Sequence, residues 1–243
     1  MLGLAQVGAA EGLWLRAERQ TGGRGRQGRV WESPAGNLYA STLVRLRPND
    51  PEAATLALVA AVALQEAVGT YVAPAEAGAV GSGAIGSPGN AAAPASAGAT
   101  VVIKWPNDLL LGGAKLSGIL LERTGDAVVI GMGVNLAHHP ERLDRPVTSL
   151  AAHGPAPAPA EFIETLAEGF ARWLGLWRGQ GLGPVRARWL ERAHPSGTPL
   201  TARLPDGSAV DGLFDGLDAG GALVLRLADG GRRVIHAGDV FLI

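Results

Sequence analysis

The sequence has no cysteine. That excludes disulfides, thiolate zinc sites and a cysteine nucleophile. A charge excess of either sign is also missing, since 21 Lys and Arg stand against 22 Asp and Glu for a formal net charge of −1. No protein-wide basic field exists to attract nucleic acid, so any anion site must be local. The longest apolar stretch, "ATLALVAAVALQEAV", falls short of the roughly 18 residues a spanning helix needs. The opening "MLGLAQVGAAEGLWL" lacks the basic n-region of a secretory signal. These absences lead to the expectation of a soluble, cytoplasmic protein. No H-E-x-x-H or G-x-S-x-G occurs, and the histidines, including adjacent His138 and His139, have no ligand spacing, so no metal site is expected. What is present is ample apolar material: 243 residues at 47% hydrophobic can fill one large domain, or a medium one with a small companion.

Along the chain, "LWLRAERQ" (13–20) and "NLYASTLVRL" (37–46) read as strands flanking a glycine-arginine loop. "PEAATLALVAAVALQEAVG" (51–69) reads as a helix opened by Pro51 and apolar nearly all round, hence buried. Residues 73–99 are almost entirely Ala, Gly, Ser and Pro, an insertion or mobile loop to which no chemistry is assigned. "TVVIKWPNDLLL" is a strand-type run broken at Pro106, and "KLSGILLER" and "DAVVIGMGVNL" are two further strands. "EFIETLAEGFARWLGLWRG" repeats Phe162, Leu166, Phe170, Trp173, Leu174 and Trp177 at helical spacing, an amphipathic helix for the sheet. From Ser196 onward, short strands parted by Asp-Gly and Gly-Gly turns predict a small SH3-like β-barrel. The expected fold is α+β, with a larger domain over 1–190 and the small module over 196–243.

"TGGRGRQGR" satisfies G-x-G-x-x-G, yet "RVWESPAGN" follows where a Rossmann loop must open a helix, and Pro34 with Gly36 makes a helix improbable there. Three arginines within "GRGRQGR" suggest another use: glycines let backbone approach a ligand while guanidinium forks hold phosphate oxygens. A solvated turn is the plainer alternative. In "KWPNDLLL", Lys104, Asn107 and Asp108 gather just after a strand, where Pro106 turns the chain out of the ladder; the alternative is local capping. Lys115 enters an apolar strand and needs a partner, either a ligand carboxylate or phosphate, or an internal acid. Asn135, at the end of "GMGVNL", could offer an amide to a purine or ribose, or merely bound a turn.

In this order, "GRGRQGRVWESP", "KWPNDLLL", "KLSGILLE" and "GMGVNL" resemble the catalytic domain of the biotin–protein ligases, and "GDVFLI" resembles that family's C-terminal SH3-like domain. The resemblance covers nearly the whole chain outside the 73–99 insertion and is to the monofunctional type without an N-terminal DNA-binding domain. It implies a mixed sheet with helices, related to class II aminoacyl-tRNA synthetases and lipoate ligases. It implies ATP and biotin as substrates, with Mg²⁺: biotin becomes biotinyl-5′-AMP, then passes to a lysine of the biotin carboxyl carrier protein. By motif match, Gln20 would contact biotin, and Arg24, Gly25 and Arg26 would close over biotin and phosphates, with Arg26 nearest the reacting centre. Lys115 would serve the biotin carboxylate and α-phosphate. Asn107 and Asp108 would position nucleotide, metal or acceptor lysine, Asn135 would lie by the adenosine, and Trp31 would pack under the loop. The catalytic set is therefore Arg26, Lys115 and Asp108; no residue is expected to ligate a resident metal, no DNA or membrane partner is expected, and a homodimer is allowed.

Two departures stand out. The family's Ser-Thr-Asn stretch, which walls the biotin pocket, has no counterpart before Gln20, and the tryptophan that stacks on adenine in some members is absent from "HHPERLDRPVTSL". The competing readings are a non-catalytic biotin or biotinyl-AMP binder lacking its N-terminal segment, a lipoate or octanoyl ligase relative, and a nucleic-acid binder. Glycine freedom and mutual arginine repulsion further predict that the loop is mobile when empty.

Overall fold

The structure is a computed structural model describing residues 1–72, 99–141 and 145–243, so the 73–99 insertion lies, but for Ala99, outside the described residues. Its frame is a six-stranded sheet of β1 (Trp14–Ala17), β2 (Leu38–Arg45), β3 (Val101–Lys104), β4 (Asp108–Leu111), β5 (Ala114–Thr124) and β6 (Ala127–Val134). The order is β1-β2-β6-β5-β4-β3, and every strand pairing is antiparallel. The sheet is thus antiparallel rather than mixed as expected; among the described residues the parallel contacts are isolated bridges outside the named strands, Ile103 with Ala193 and Lys115 with Val147. "TVVIKWPNDLLL" becomes two paired strands around a cis Trp105–Pro106 bond, Lys104 facing Asp108 across the turn.

Helices α2 (Leu56–Gly69), α3 (Pro159–Gln180) and α4 (Gly183–Glu191) cover one face. As its composition predicts, α2 is buried almost all round, from Leu56 through Val68. It starts later than Pro51 because Glu52 is extended (ψ 126°) and Ala53–Thr55 form a 3₁₀ turn closed by Thr55 onto the Glu52 carbonyl. Pro159 occupies the first turn of α3, where its missing N–H costs nothing. Phe162, Leu166, Phe170 and Trp177 of the α3 stripe are buried. Phe170 meets Trp14 edge-on (centroids 5.8 Å, planes at 87°), and Trp177 Nε1 donates to Thr55 Oγ1 at 2.8 Å. A short helix, α1 (Leu2–Gln6), packs Ala5 against Leu43, Ala127 and Val129 on the opposite face.

Five strands, β7 (Pro199–Arg203), β8 (Ala209–Leu217), β9 (Leu223–Arg226), β10 (Arg232–Ile235) and β11 (Asp239–Leu242), form the SH3-like module in the order β10-β9-β8-β7-β11. Its sheet is open rather than a closed barrel, because β10 and β11 are edges that do not pair. The module shares the main core: Trp189 of α4 packs on Phe214 (6.4 Å), and Trp105 Nε1 donates to Gly221 O at 3.3 Å. Gly221 has φ +85°, and a Cβ there would lie 2.8 Å from Leu58 Cδ1, so only glycine closes this seam without displacement. No described helix is long and apolar enough to cross a membrane.

Candidate active site

On the face away from the three large helices, cross-strand register lines up Asp108, Gly118, Gly133 and Tyr39. Residues directly opposite share a face, so two glycines form a floor between a carboxylate and a phenol. The floor is usable because nothing projects from it: a Cβ on Gly133 would stand 2.7 Å from Trp31 Cε2, and one on Gly118 3.2 Å from Trp31 Cζ3. The Trp31 indole thus lies against the glycines, in the lining of a cavity of about 690 Å³.

Lys115 reaches this floor through a β-bulge. Leu109 pairs with Ser117 but Leu110 with Lys115, leaving Leu116 as the extra residue on β5. Lys115 and Gly118 are an odd number of residues apart and would face opposite sides of a regular strand; the bulge puts both in the cavity. A Cβ on Gly118 would sit 3.4 Å from Lys115 Nζ. Lys115 bonds Asp108 Oδ1 through Nζ, and Lys104 Nζ stands 3.5 Å from Asp108 Oδ2. Lys115 is 9% exposed and Asp108 5%. Burial opposes the Asp108 charge, yet the Lys115 and Lys104 ammoniums hold its carboxyl below the ordinary value. Burial pushes Lys115 below its ordinary value despite the attraction of Asp108, and nearby Arg145 and Lys104 act in the same direction as burial.

The roof is the glycine-arginine loop. It folds as a short hairpin, with Gly25 N–H on Arg29 O (2.8 Å) and Trp31 N–H on Gly23 O (3.0 Å), and turns through Gln27 and Gly28 at φ 58° and 72°. Gly23 is required, because a Cβ there would come within 2.5 Å of Trp31 O. No helix follows, so the G-x-G-x-x-G is not a Rossmann loop.

Gln20, Arg24, Gly25, Arg26, Asn107, Asp108 and Lys115 all line this one cavity. Gln20 Oε1 accepts from Ser33 Oγ at 3.0 Å, and Asn107 lends its Nδ2 to Ile119 O at 2.7 Å, pinning the strand turn. Asn135 does not line the cavity. It is 3% exposed and donates to Thr148 O at 3.0 Å, so its bounding-turn alternative describes where its amide is used. His138 is exposed, whereas His139 is half-buried with Nδ1 3.0 Å from Ser149 Oγ. Among the described residues no group of three His, Asp or Glu is placed to hold a metal ion. Sequence reasoning missed Gly118, Gly133 and Tyr39 as the floor, and Asp239 and Phe241 of β11 as a wall. For the floor a signal existed, since "LSG" and "GMG" put glycines where strands favour β-branched residues.

Chemically, the cavity has a flat apolar bottom and more cations than carboxylates at its polar end. Such a surplus of cations around a cavity suits an anionic ligand, whose charge it would offset. The cavity lies in the α+β domain, with β11 of the SH3-like module at its rim. The chain belongs to the Biotin/lipoate A/B protein ligase family, matched over residues 8–135, and residues 196–243 match the Biotin protein ligase C terminal domain. It is 40% identical to the biotin–[acetyl-CoA-carboxylase] ligase of Paracoccus denitrificans over 96% of this chain and 92% of that protein. With the biotin–[acetyl-CoA-carboxylase] ligase of Mycobacterium tuberculosis it shares 33% identity over 99% of this chain and 83% of that one. The fold matches the biotin protein ligase from Aquifex aeolicus in complex with biotin and ATP (TM-score 0.79, 22% identity, 100% of this chain, 94% of that chain).

Proposed function

We propose that this chain is an ATP-dependent biotin–protein ligase whose acceptor is the biotin carboxyl carrier protein of acetyl-CoA carboxylase. The observation that carries this reading is the meeting, in one cavity, of the arginine loop, the buried Lys115–Asp108 pair and a glycine floor. In the first step a biotin carboxylate oxygen attacks the α-phosphorus of ATP, the bond to the β-phosphate oxygen breaks, and pyrophosphate leaves. In the second, an acceptor lysine amine attacks the acyl carbon of biotinyl-5′-AMP; AMP leaves and the amine loses a proton.

Lys115 and Arg26 neutralise the approaching anions. Each charge-assisted hydrogen bond of this kind contributes roughly 1.5–3 kcal/mol. Arg24, exposed on the loop, and Gly25, which admits the ligand to the backbone, close over the phosphates. Gln20 meets biotin at the loop's head. Asp108 keeps Lys115 aimed along the floor, and Asn107 keeps that carboxylate's turn in place. Magnesium would enter with the nucleotide and offset phosphate charge, since among the described residues no group of three His, Asp or Glu is placed to hold it. For Asn135 we propose support of Lys115: its amide donates to Thr148 O, and Thr148 N–H donates to Lys115 O at 2.9 Å. The test is transfer: a purified carrier domain incubated with this protein, ATP, Mg²⁺ and biotin should gain the mass of one biotinyl group on its lysine. A carrier that stays unmodified with biotin, yet is modified with lipoate or octanoate, would reassign the substrate.

A further inference from the structure

The cavity continues along the sheet away from Lys115. Beyond the row of Gly118, Gly133 and Tyr39, the same face carries Leu120, Gly131 and Ser41, then Glu122, Val129 and Leu43. From Gly133 to Val129 the floor runs about 14 Å along β6. Its far end is closed by α1: Ala5 packs on Leu43, Ala127 and Val129, and Leu2 lines the cavity together with Val129. A helix of five residues is marginal by itself, and Ala5 is its one buried residue. The hold comes from Arg45, the last residue of β2. Its Nε and Nη2 donate to Ala9 O at 3.1 and 2.9 Å, and Nη2 also donates to Ala5 O at 3.1 Å. These carbonyls lie at and just beyond the C-terminal end of α1, where a cation is favoured. Nη1 is fixed on Asp126 at 2.9 and 3.2 Å. The main chain of Arg45 has separate partners, its carbonyl accepting from Arg178 and its N–H donating to Glu11, so the guanidinium is left to α1 and Asp126.

We propose that Arg45 is a positioning residue of the ligase: by holding the carbonyls at the end of α1, it fixes the wall against which the non-reacting end of the acid packs. The kinetic part rests on the reading above, in which the carboxylate lies at Lys115. The phosphates belong with the cations around Lys115, so the uncharged length of the acid takes the floor towards Leu2. Arg45 touches neither the substrate nor the reacting atoms, and its side chain does not line the cavity. Its contribution is to binding and not to chemistry. With α1 released, Leu43 and Val129 face water and the cavity is open at that end. The acid then loses packing there, while the end that takes the nucleotide is untouched.

The experiment compares wild type, Arg45→Met and Arg45→Lys by hydrogen exchange of the α1 amides and by biotin-dependent pyrophosphate exchange. The amides to follow are Val7, Gly8 and Ala9, whose N–H groups bond back to carbonyls of α1. In Arg45→Met their exchange rises about tenfold and KM for biotin rises about tenfold, as for loss of one charged hydrogen bond. KM for ATP and kcat stay within about twofold, the pattern of lost ground-state binding. Arg45→Lys, which keeps the charge without the fork, recovers part of the biotin KM. A merely structural Arg45 would lower the melting temperature and leave both KM values of the folded fraction alone. An unchanged KM for biotin in Arg45→Met overturns the proposal even if α1 exchanges faster, and so does an equal rise in both KM values. If Arg45→Met does not fold, Arg45→Lys and Leu2→Ala, which thins the wall directly, carry the test; a biotin KM equal to wild type in either overturns it. If wild type does not adenylate biotin, the function reading fails, and α1 exchange in the Arg45 variants still decides whether this side chain holds the helix.

Discussion

Two clusters of charge lie in this protein, and they are built on opposite principles. In the first, Arg178 of α3 forks onto Glu11 (2.5 and 2.7 Å), reaches Asp50 at 3.3 Å and caps the Arg45 carbonyl at 2.9 Å, with Arg47 adding 3.4 Å to Glu11. Two carboxylates meet two guanidiniums, and Arg178 has a partner at each nitrogen. In the second, Asp108 alone stands between Lys115 and Lys104, with the loop arginines across the cavity. The first cluster is balanced within the protein and closes a seam between helix and strand. The second holds cations in excess, facing an open cavity, and is completed by anions the protein does not possess. A buried charge that is fully matched inside reads as structure; one left in surplus at a cavity reads as a site.

Each cluster can be broken separately. The largest effect belongs to the open one: Lys115→Ala, or Arg26→Ala, lowers biotin-dependent pyrophosphate exchange by about 10²–10³, the usual loss for one preorganised donor. Arg26→Ala, on the loop, moves the melting temperature by no more than a few degrees, whereas Lys115→Ala also strands the buried Asp108 carboxylate and lowers stability as breaking a buried pair does. Exchange is therefore compared per folded protein, and near-normal exchange in either would remove that residue from the site. Arg178→Ala does the reverse. It strands two carboxylates and costs about 3 kcal/mol in denaturant unfolding, the lower end for removing one partner of a buried pair, while the folded fraction keeps its exchange rate. A loss within 0.5 kcal/mol of zero would mean the seam is held by packing alone.

Acid sharpens the contrast further. The hydrogen bonds from Arg178 hold the Glu11 carboxyl below its ordinary value, against the opposing effect of burial. A carboxyl lowered on folding stabilises fully above its unfolded value, about 4.3 for Glu, and that stabilisation is lost as pH falls through the folded value. Stability should therefore decline below about pH 4, and Glu11→Gln should flatten that decline. An equally steep acid limb in the variant would contradict the assignment. The smallest effect is Thr55→Val, which leaves the buried Trp177 N–H without its acceptor and should cost about 1–2 kcal/mol.

How far this comparison could be anticipated depends on sequence distance. Strands, the two long helices and the all-β C-terminal texture were legible because periodicity and turn residues are local signals. The Lys115 partner was framed correctly as a choice between ligand and internal acid, and Asp108, seven positions away, is the internal one. The bulge at Leu116 was not legible, since it arises from pairing with β4 rather than from any residue preference. Nor was the Asp239 grip on Arg26, which spans 213 positions and depends on how the module docks. Asn135 shows another long-range dependence: the motif match sets it beside the nucleotide, while its bond to the Thr148 carbonyl depends on how the segment after Pro146 returns to the sheet. Short α1 and α4 carry too few periodic residues to register in the sequence.

The most direct test is exchange of labelled pyrophosphate into ATP, with Mg²⁺ present and no acceptor protein. The account predicts exchange that requires biotin and disappears with Lys115→Ala. Exchange without biotin, or none under conditions where the protein is folded and binds biotin, would contradict it and leave a cavity that holds the acid without activating it.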